Sequence, residues 1–201
     1  MNIGVLGGTF DPIQKGHLLL AEEARAKLNL AEVFFVPAGQ PWLKTGSTIS
    51  AAEHRVEMVR LAIADKPYFK LSTMEIERAG PTYTVDTIAE LQAQLWAGNE
   101  LFFILGWGSL AELPRWREPS RLITMCKLVV APRPGNPRPD FEKLEAEIPG
   151  LKQRVILMEK PYIDISSSAI RDRVAQGLPI RHLVPAPVDE YIKQHKLYLT
   201  S

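Results

Sequence analysis

The chain has 201 residues, of which 46% are hydrophobic and 23% charged, a composition typical of globular proteins and a length suited to one domain. The 24 lysines and arginines are nearly balanced by 23 aspartates and glutamates, so we do not expect a nucleic-acid scaffold with a basic surplus. Cys126 is the single cysteine and no apolar stretch approaches the ~20 residues of a membrane span. We therefore expect a cytoplasmic protein without a disulfide, a four-cysteine zinc site or a membrane anchor.

Short apolar segments alternate with amphipathic helical patterns along the whole chain. Apolar runs closed by glycine or proline predict strands, and apolar residues spaced three or four apart predict helices. Ser50 is followed three residues later by Glu53, so a capping box is expected to start the second helix. In chain order we predict a strand over 2–6, a helix over 17–28, a strand over 33–37, a long loop over 39–50, the capped helix, a weak strand over 69–73, a helix over 85–95, strands over 101–105, 128–131 and 155–158, and helices from 167 onward.

This alternation predicts an α/β protein with a doubly wound, Rossmann-like parallel sheet and helices on both faces. The proline-rich stretch 132–139 is interpreted as a surface loop, because too little chain follows it for a second full domain. We expect a single domain over 1–201, with the Rossmann-like core over 1–165 and a C-terminal helical part over 166–201.

The loop between the first strand and the first helix is the first candidate site, because ligands of open parallel sheets bind beyond the carboxyl ends of the strands. Gly7 and Gly8 allow the backbone to approach a ligand, and the helix that follows presents unpaired N–H groups to an anion. Thr9 and His17 add side-chain donors. The glycines alone are equally consistent with a tight turn that only connects strand and helix.

The full string GGTFDPIQKGH at 7–17 resembles the signature of the nicotinate-nucleotide adenylyltransferase family, which belongs to the nucleotidyltransferase superfamily. The resemblance extends over nearly the whole chain. Further segments similar to the family pattern are PAGQPWLK at 37–44, YTVDT at 83–87, the LPRW stretch ending at Trp116, RPG at 133–135 and DISSSAIR at 164–171, where Ser168 stands for a threonine.

The resemblance implies that the phosphate of nicotinate mononucleotide attacks the α-phosphorus of ATP, giving deamido-NAD and pyrophosphate. Such enzymes use Mg²⁺ with ATP and form no covalent intermediate. The spacing of His54, His182 and His195 does not suggest a metal cluster, so no metal ligands are expected in the chain itself. The implied partners are these two small molecules, without nucleic acid or membrane, and a homo-oligomer is left open. Transfer of this kind depends mainly on positioning and electrostatic stabilisation.

Site residues are carried over position by position. The implied ATP-binding residues are Gly7, Gly8, Thr9, Phe10, Gly106, Ser166, Ser167, Ser168 and Arg171. The implied catalytic residues are His17, Gln14, Lys44 and Arg171. The nicotinate-nucleotide site is implied at Tyr83, Thr84 and Trp116, with the tryptophan stacked on the pyridine ring. Three of these residues have a structural alternative: Arg171 and Lys44 could be solvated surface charges, and Tyr83 could be a packing residue.

Two departures from the family pattern fall in these loops. Gln14 stands where the family has the first histidine of its HxGH motif, and Gly108 stands where the family reads aspartate in GxDS. Loss of a charge-assisted hydrogen bond costs about 1.5–3 kcal/mol, roughly ten- to a hundred-fold in rate. Two classes of function therefore stay open: a working adenylyltransferase, and a non-catalytic nucleotide-binding paralogue or a transferase for nicotinamide mononucleotide or another phosphorylated acceptor.

Overall fold

The computed structural model describes residues 1–41, 49–95, 98–132, 134–161 and 164–199. Within these ranges the strands are short and apolar and end at glycine, proline or alanine in most cases, as expected for a sheet covered on both faces. The strands are β1 (Asn2–Gly8), β2 (Glu32–Pro37), β3 (Gln40–Pro41), β4 (Phe69–Leu71), β5 (Pro81–Thr82), β6 (Glu100–Gly106), β7 (Lys127–Ala131) and β8 (Val155–Leu157).

The main sheet of the described chain has six parallel strands in the order β4-β2-β1-β6-β7-β8. β1 lies at its centre, with Val5 paired to Phe34 of β2 on one side and to Phe103 of β6 on the other. The strand order reverses between β1 and β6, which creates a crevice at their carboxyl ends. β3 and β5 form a separate two-stranded parallel pair. The predicted doubly wound α/β class is confirmed; the division at residue 166 stays a prediction.

The described helices cover both faces of the sheet. They are α1 (Lys15–Leu28), α2 (Ala52–Ile63), α3 (Met74–Glu77), α4 (Thr84–Gln94), α5 (Trp107–Ala111), α6 (Pro119–Met125), α7 (Phe141–Glu147), α8 (Ser167–Ala175) and α9 (Ala186–Gln194), with 3₁₀ turns at Leu113–Arg115 and Leu151–Gln153. No helix in the described ranges is both long enough and apolar enough to cross a bilayer.

Alternating residues of the central strands supply two separate apolar cores. On one face, Leu6 and Ile104 pack in the cluster that also contains residues of α1, α2 and α9. On the other face, Val5 and Phe103 pack with residues of α4 and α6. Each fully buried aliphatic or aromatic side chain contributes roughly 1.5–3 kcal/mol, so the sheet holds the carboxyl ends of β1 and β6 in a fixed relation.

The expected capping box at Ser50 is wrong. α2 begins at Ala52, with Ala51 in the capping position and no side chain capping it. The Ser50 N–H instead donates to Asp11 Oδ2 at 3.1 Å, and the Ser50 carbonyl accepts from Arg55 Nε at 3.0 Å. The backbone of Ser50 is therefore bound by Asp11 and Arg55, and Ser50 does not cap the helix as its local sequence pattern predicted.

Other differences from the prediction concern the length of one strand and several short helices. The weak strand stops at Leu71, two residues before the predicted end. The short helices α3, α5, α6 and α7 were not predicted, because four to seven residues are too few to show a helical period. The described part of the proline-rich stretch, residues 132 and 134–139, contains neither helix nor strand, as expected for a loop.

Cys126 ends α6 and is buried, and its Sγ donates to the carbonyl of Leu122 at 3.5 Å. Burial raises the pKa of the Cys126 thiol to about 12. Because the thiolate is the reactive form, we expect iodoacetamide to leave the folded protein unmodified at about pH 8 and to label it after unfolding in urea. Mass spectrometry measures this, and equal labelling rates in the folded and unfolded protein would contradict it.

Candidate active site

A cavity of about 350 Å³ opens at the carboxyl ends of β1 and β6. This is the point where the strand order reverses, the usual ligand position in open α/β sheets. Its walls come from the β1–α1 loop, the start of α4, the end of β6 and the segment after α5. Elements from distant parts of the sequence therefore meet around one space.

The structure brings most of the predicted site residues to this cavity. Those lining it are Gly7, Gly8, Thr9, Gln14, His17, Tyr83, Thr84, Gly106 and Trp116. The predicted residues that do not line it are Phe10, Ser166, Ser167, Ser168 and Arg171. Lys44 lies outside the described residues.

Phe10 lies beneath the glycine loop. Its backbone is left-handed, with φ of 51°, and its side chain is buried. A Cβ atom on Gly8 would lie 2.9 Å from Phe10 Cε1, so this close approach requires glycine. The Phe10 ring also meets the edge of His17 at a centroid distance of 5.1 Å. Phe10 thus supports the loop from the core side.

His17 is oriented by a reciprocal cap at the start of α1. The backbone N–H of Gln14 donates to His17 Nδ1 at 3.3 Å, and the Gly16 N–H donates to Gln14 Oε1 at 2.7 Å. With Nδ1 accepting, the neutral ring carries its proton on Nε2. The sequence did not predict this cap, because glutamine and histidine are not the usual capping-box residues.

Gln14 also joins the loop to the C-terminal part of the chain. Its Nε2 donates to the carbonyl of Ile165 at 2.8 Å, and the side chain is almost completely buried. Its oxygen and one amide N–H are therefore used within the protein, which leaves the second amide N–H for a ligand. Whether Gln14 takes part in catalysis stays a prediction.

The N-terminus of α8 is bound to the same loop. Ser166 caps α8 by accepting from the Ala169 N–H at 3.1 Å, and Ser167 Oγ donates to the carbonyl of Pro12 at 2.9 Å. Arg171 donates to the carbonyl of Asp11 at 2.8 Å and to Ser168 Oγ at 3.3 Å. The alternative of a purely solvated Arg171 does not hold, since the guanidinium binds the loop backbone.

Arg55 is a positioning residue that sequence reasoning missed. Its Nη1 donates to the carbonyls of Thr9 at 2.9 Å and Ala38 at 2.8 Å. Burial lowers the pKa of the Arg55 guanidinium, and the charge of Asp11 opposes that shift. Asp11 in turn accepts from the Tyr198 hydroxyl at 2.7 Å. The sequence did contain an indication that Arg55 is buried, because Arg55 precedes the apolar Met58 by three positions and so lies on the same face of the helix.

The other end of the cavity has an indole wall and unpaired polar atoms. Trp116 meets Phe103 edge-on at 6.0 Å, and its Nε1 is buried without a partner among the described residues, as is Thr82 Oγ1. Glu75, the acidic residue among the described cavity lining, accepts from Thr87 Oγ1 at 2.6 Å. The indole thus adds a flat surface to the cavity wall.

Gly108 and Asn136 lie together in the cavity wall. A Cβ atom on Gly108 would come within 3.0 Å of Asn136 Nδ2. The Asn136 carboxamide therefore occupies space next to the position where the family pattern has an aspartate. The described chain contains no group of three or more His, Cys, Asp or Glu side chains arranged to hold a metal ion.

Comparison with known proteins agrees with this architecture. The model of the cytidylyltransferase-like family matches residues 5–173, so the chain belongs to this class of nucleotidyltransferases. A probable nicotinate-nucleotide adenylyltransferase of Dehalococcoides mccartyi strain CBDB1 is 53% identical over 198 residues, 98% of this chain and 97% of the relative. One of Roseiflexus sp. strain RS-1 is 49% identical over 196 residues, 98% and 97% of the two chains. The chain belongs to the nicotinate-nucleotide adenylyltransferase family.

The fold is also that of solved structures. The nicotinic acid mononucleotide adenylyltransferase of Plasmodium falciparum complexed with NaAD matches with a TM-score of 0.78 at 21% identity, over 98% of this chain and 97% of that one. The predicted family resemblance and the predicted fold are both confirmed.

Replacing Arg55 with methionine should destabilise the protein by about 3 kcal/mol or more, because the carbonyls of Ser50, Thr9 and Ala38 lose a buried donor and Asp11 loses a nearby positive charge. Urea unfolding measures the change. Arg60→Met is the matched control, since Arg60 lies on the same helix and pairs with Glu57 in solvent, and its midpoint should barely move. Equal unfolding midpoints for the two variants would contradict the role assigned to Arg55.

Proposed function

We propose that the protein transfers the adenylyl group of ATP to nicotinate mononucleotide, giving deamido-NAD and pyrophosphate in NAD biosynthesis. The observation that carries this proposal is one cavity that joins the Gly7–Thr9 loop and His17 to Tyr83, Thr84 and Trp116. The close relatives named for this activity support it, as does the NaAD complex of the structurally similar Plasmodium enzyme. We also propose a cytoplasmic reaction; a homo-oligomer stays an open prediction.

The reaction is an in-line displacement at phosphorus. A phosphate oxygen of nicotinate mononucleotide forms a bond to the α-phosphorus of ATP, and the bond from that phosphorus to the bridging oxygen breaks to release pyrophosphate. No covalent bond to the protein is needed. The protein contributes placement of the two nucleotides and fixed donors for the charge on the phosphates.

We assign the phosphate end of the cavity to the loop donors. His17, with Nδ1 accepting, can donate from Nε2, and the first turn of α1 adds a partial positive charge. Gln14 adds its second amide N–H. Ser167 and Arg171 of α8 bind carbonyls of the loop and so hold α8 against it. We assign to them a contact with the polyphosphate of ATP at the edge of the cavity.

We propose that Mg²⁺ enters with ATP as the MgATP substrate. The carboxylate among the described cavity-lining residues, Glu75, already accepts from Thr87 Oγ1. This donor set does not suit a resident Mg²⁺, which needs several oxygen ligands. The cation would instead be held by the phosphate oxygens of the triphosphate.

A binding-only function is the second candidate, and Gln14 is the observation that favours it. A neutral amide replaces a side chain that can become cationic, and most of its hydrogen-bonding capacity is used within the protein. Such a protein would bind a mononucleotide or dinucleotide without turning it over.

An assay with ATP, Mg²⁺ and nicotinate mononucleotide should release pyrophosphate well above background. His17→Ala should lower kcat by roughly 10²–10³-fold, the usual effect of removing one fixed donor to a charged transition state. His182→Ala is the control, because His182 is exposed and does not line the cavity. Calorimetric binding without pyrophosphate release from any mononucleotide would favour the binding-only candidate.

Gln14→His should raise kcat by roughly ten- to a hundred-fold, because an imidazolium can make the charge-assisted bond that an amide cannot. The neutral imidazole can accept from the Gly16 N–H at Nδ1 before the phosphates bind, and protonation in their field exchanges this capping bond for the charge-assisted one. Gln14→Ala, which loses both functions, serves as the comparison. An unchanged or lower rate for Gln14→His would count against a role that this position shares with the histidine of the family motif.

A further inference from the structure

Arg117 is the only lysine or arginine among the described residues that line the cavity. It follows Trp116 directly, and its guanidinium carbon lies 4.7 Å from the centroid of the Tyr83 ring. A cation–π contact of this kind fixes the position of the guanidinium without using its five N–H donors. Arg117 is exposed, and its contact with Tyr83 places a permanent positive charge at the rim of the cavity, where the indole and the start of α4 meet.

Arg78 does not provide a comparable unpaired charge. Arg78 donates to Glu90 Oε2 and to Thr87 Oγ1, so its charge is neutralised within the protein. Among the described residues no carboxylate pairs with Arg117. Glu75 lines the same cavity but is held by Thr87 and is largely buried. Arg117 thus lacks an anionic partner until a ligand enters.

The other groups at this end point to a planar, polar ring. Trp116 lines the cavity and offers the flat surface of an indole. The first N–H groups of α4 come from residues 84 and 85, next to Tyr83. A flat ring bearing an acceptor group would meet stacking surface, donors and a cation together.

We propose that Arg117 selects the acid over the amide of the pyridine nucleotide by pairing with the ring carboxylate. This inference rests on the proposed function, together with the pyridine-ring position at Trp116 that the family resemblance implies. A guanidinium can donate two parallel hydrogen bonds to a carboxylate, whereas a carboxamide is neutral and offers one acceptor atom. The charge therefore favours nicotinate mononucleotide over nicotinamide mononucleotide.

The test compares kcat/KM of the two mononucleotides in the wild type and in Arg117→Gln. We expect the value for nicotinate mononucleotide to fall about ten-fold, mainly through KM, while that for nicotinamide mononucleotide changes little. Arg117→Lys should keep part of the preference, because it keeps the charge but loses the paired geometry. Arg115→Gln is the matched control: it lies two residues earlier, is exposed, pairs with Glu112 and does not line the cavity.

Two outcomes overturn the inference. An equal loss for both nucleotides would assign Arg117 to the phosphate that they share, and an unchanged ratio would leave it without a role in selection. Calorimetric dissociation constants for both nucleotides keep this test separate from the proposed function. If the wild type makes no pyrophosphate, the proposed function fails, whereas the selectivity fails only if Arg117→Gln binds the two nucleotides in the same ratio as the wild type.

Discussion

The site depends on arginine side chains that hold backbone carbonyls of the β1–α1 loop. Arg55 comes from α2 and binds the carbonyls of Thr9 and Ala38, and Arg171 comes from α8 and binds that of Asp11. In a trans peptide the N–H of the next residue points opposite to the carbonyl. Fixing the Thr9 carbonyl toward Arg55 therefore also fixes the direction of the Phe10 N–H, so distant helices determine how the loop presents its donors.

A protein with a net charge of +1 can hold a polyphosphate because the positive groups are local and fixed. Helix termini, glycine backbone and a few oriented side chains meet at one end of the sheet, and their donors are in place before the ligand arrives. The arginines nearest the loop support it through its carbonyls. The charge of Arg55 is buried near Asp11 and backbone carbonyls, so it adds little to the surface of the protein, whereas Arg171 is half-buried.

The sequence predicted those parts of the molecule that depend on local pattern. Alternation of apolar strands with helical segments was enough for the parallel sheet, and its reversal point locates the cavity. The functional contacts were not predictable in this way, because they join residues far apart in sequence. Gln14 and Ile165, which are hydrogen-bonded, are separated by 151 positions. Ser50 binds Asp11 through its backbone N–H and does not form the expected helix cap. In the sequence, Arg55 is one of several charged residues in an amphipathic helix, and only the structure shows that it binds three backbone carbonyls.

The two departures from the family motif have different physical consequences. At position 108 glycine has no side chain, and the carboxamide of Asn136 lies close to where a Cβ atom would be. A polar group from a different loop is therefore present in this part of the cavity wall. At position 14 the substitution keeps an acceptor for the Gly16 N–H and therefore keeps the cap that orients His17. What it removes is the ability to become cationic. The cap and the charge are separate properties of one side chain, and glutamine provides the cap without being able to carry the charge.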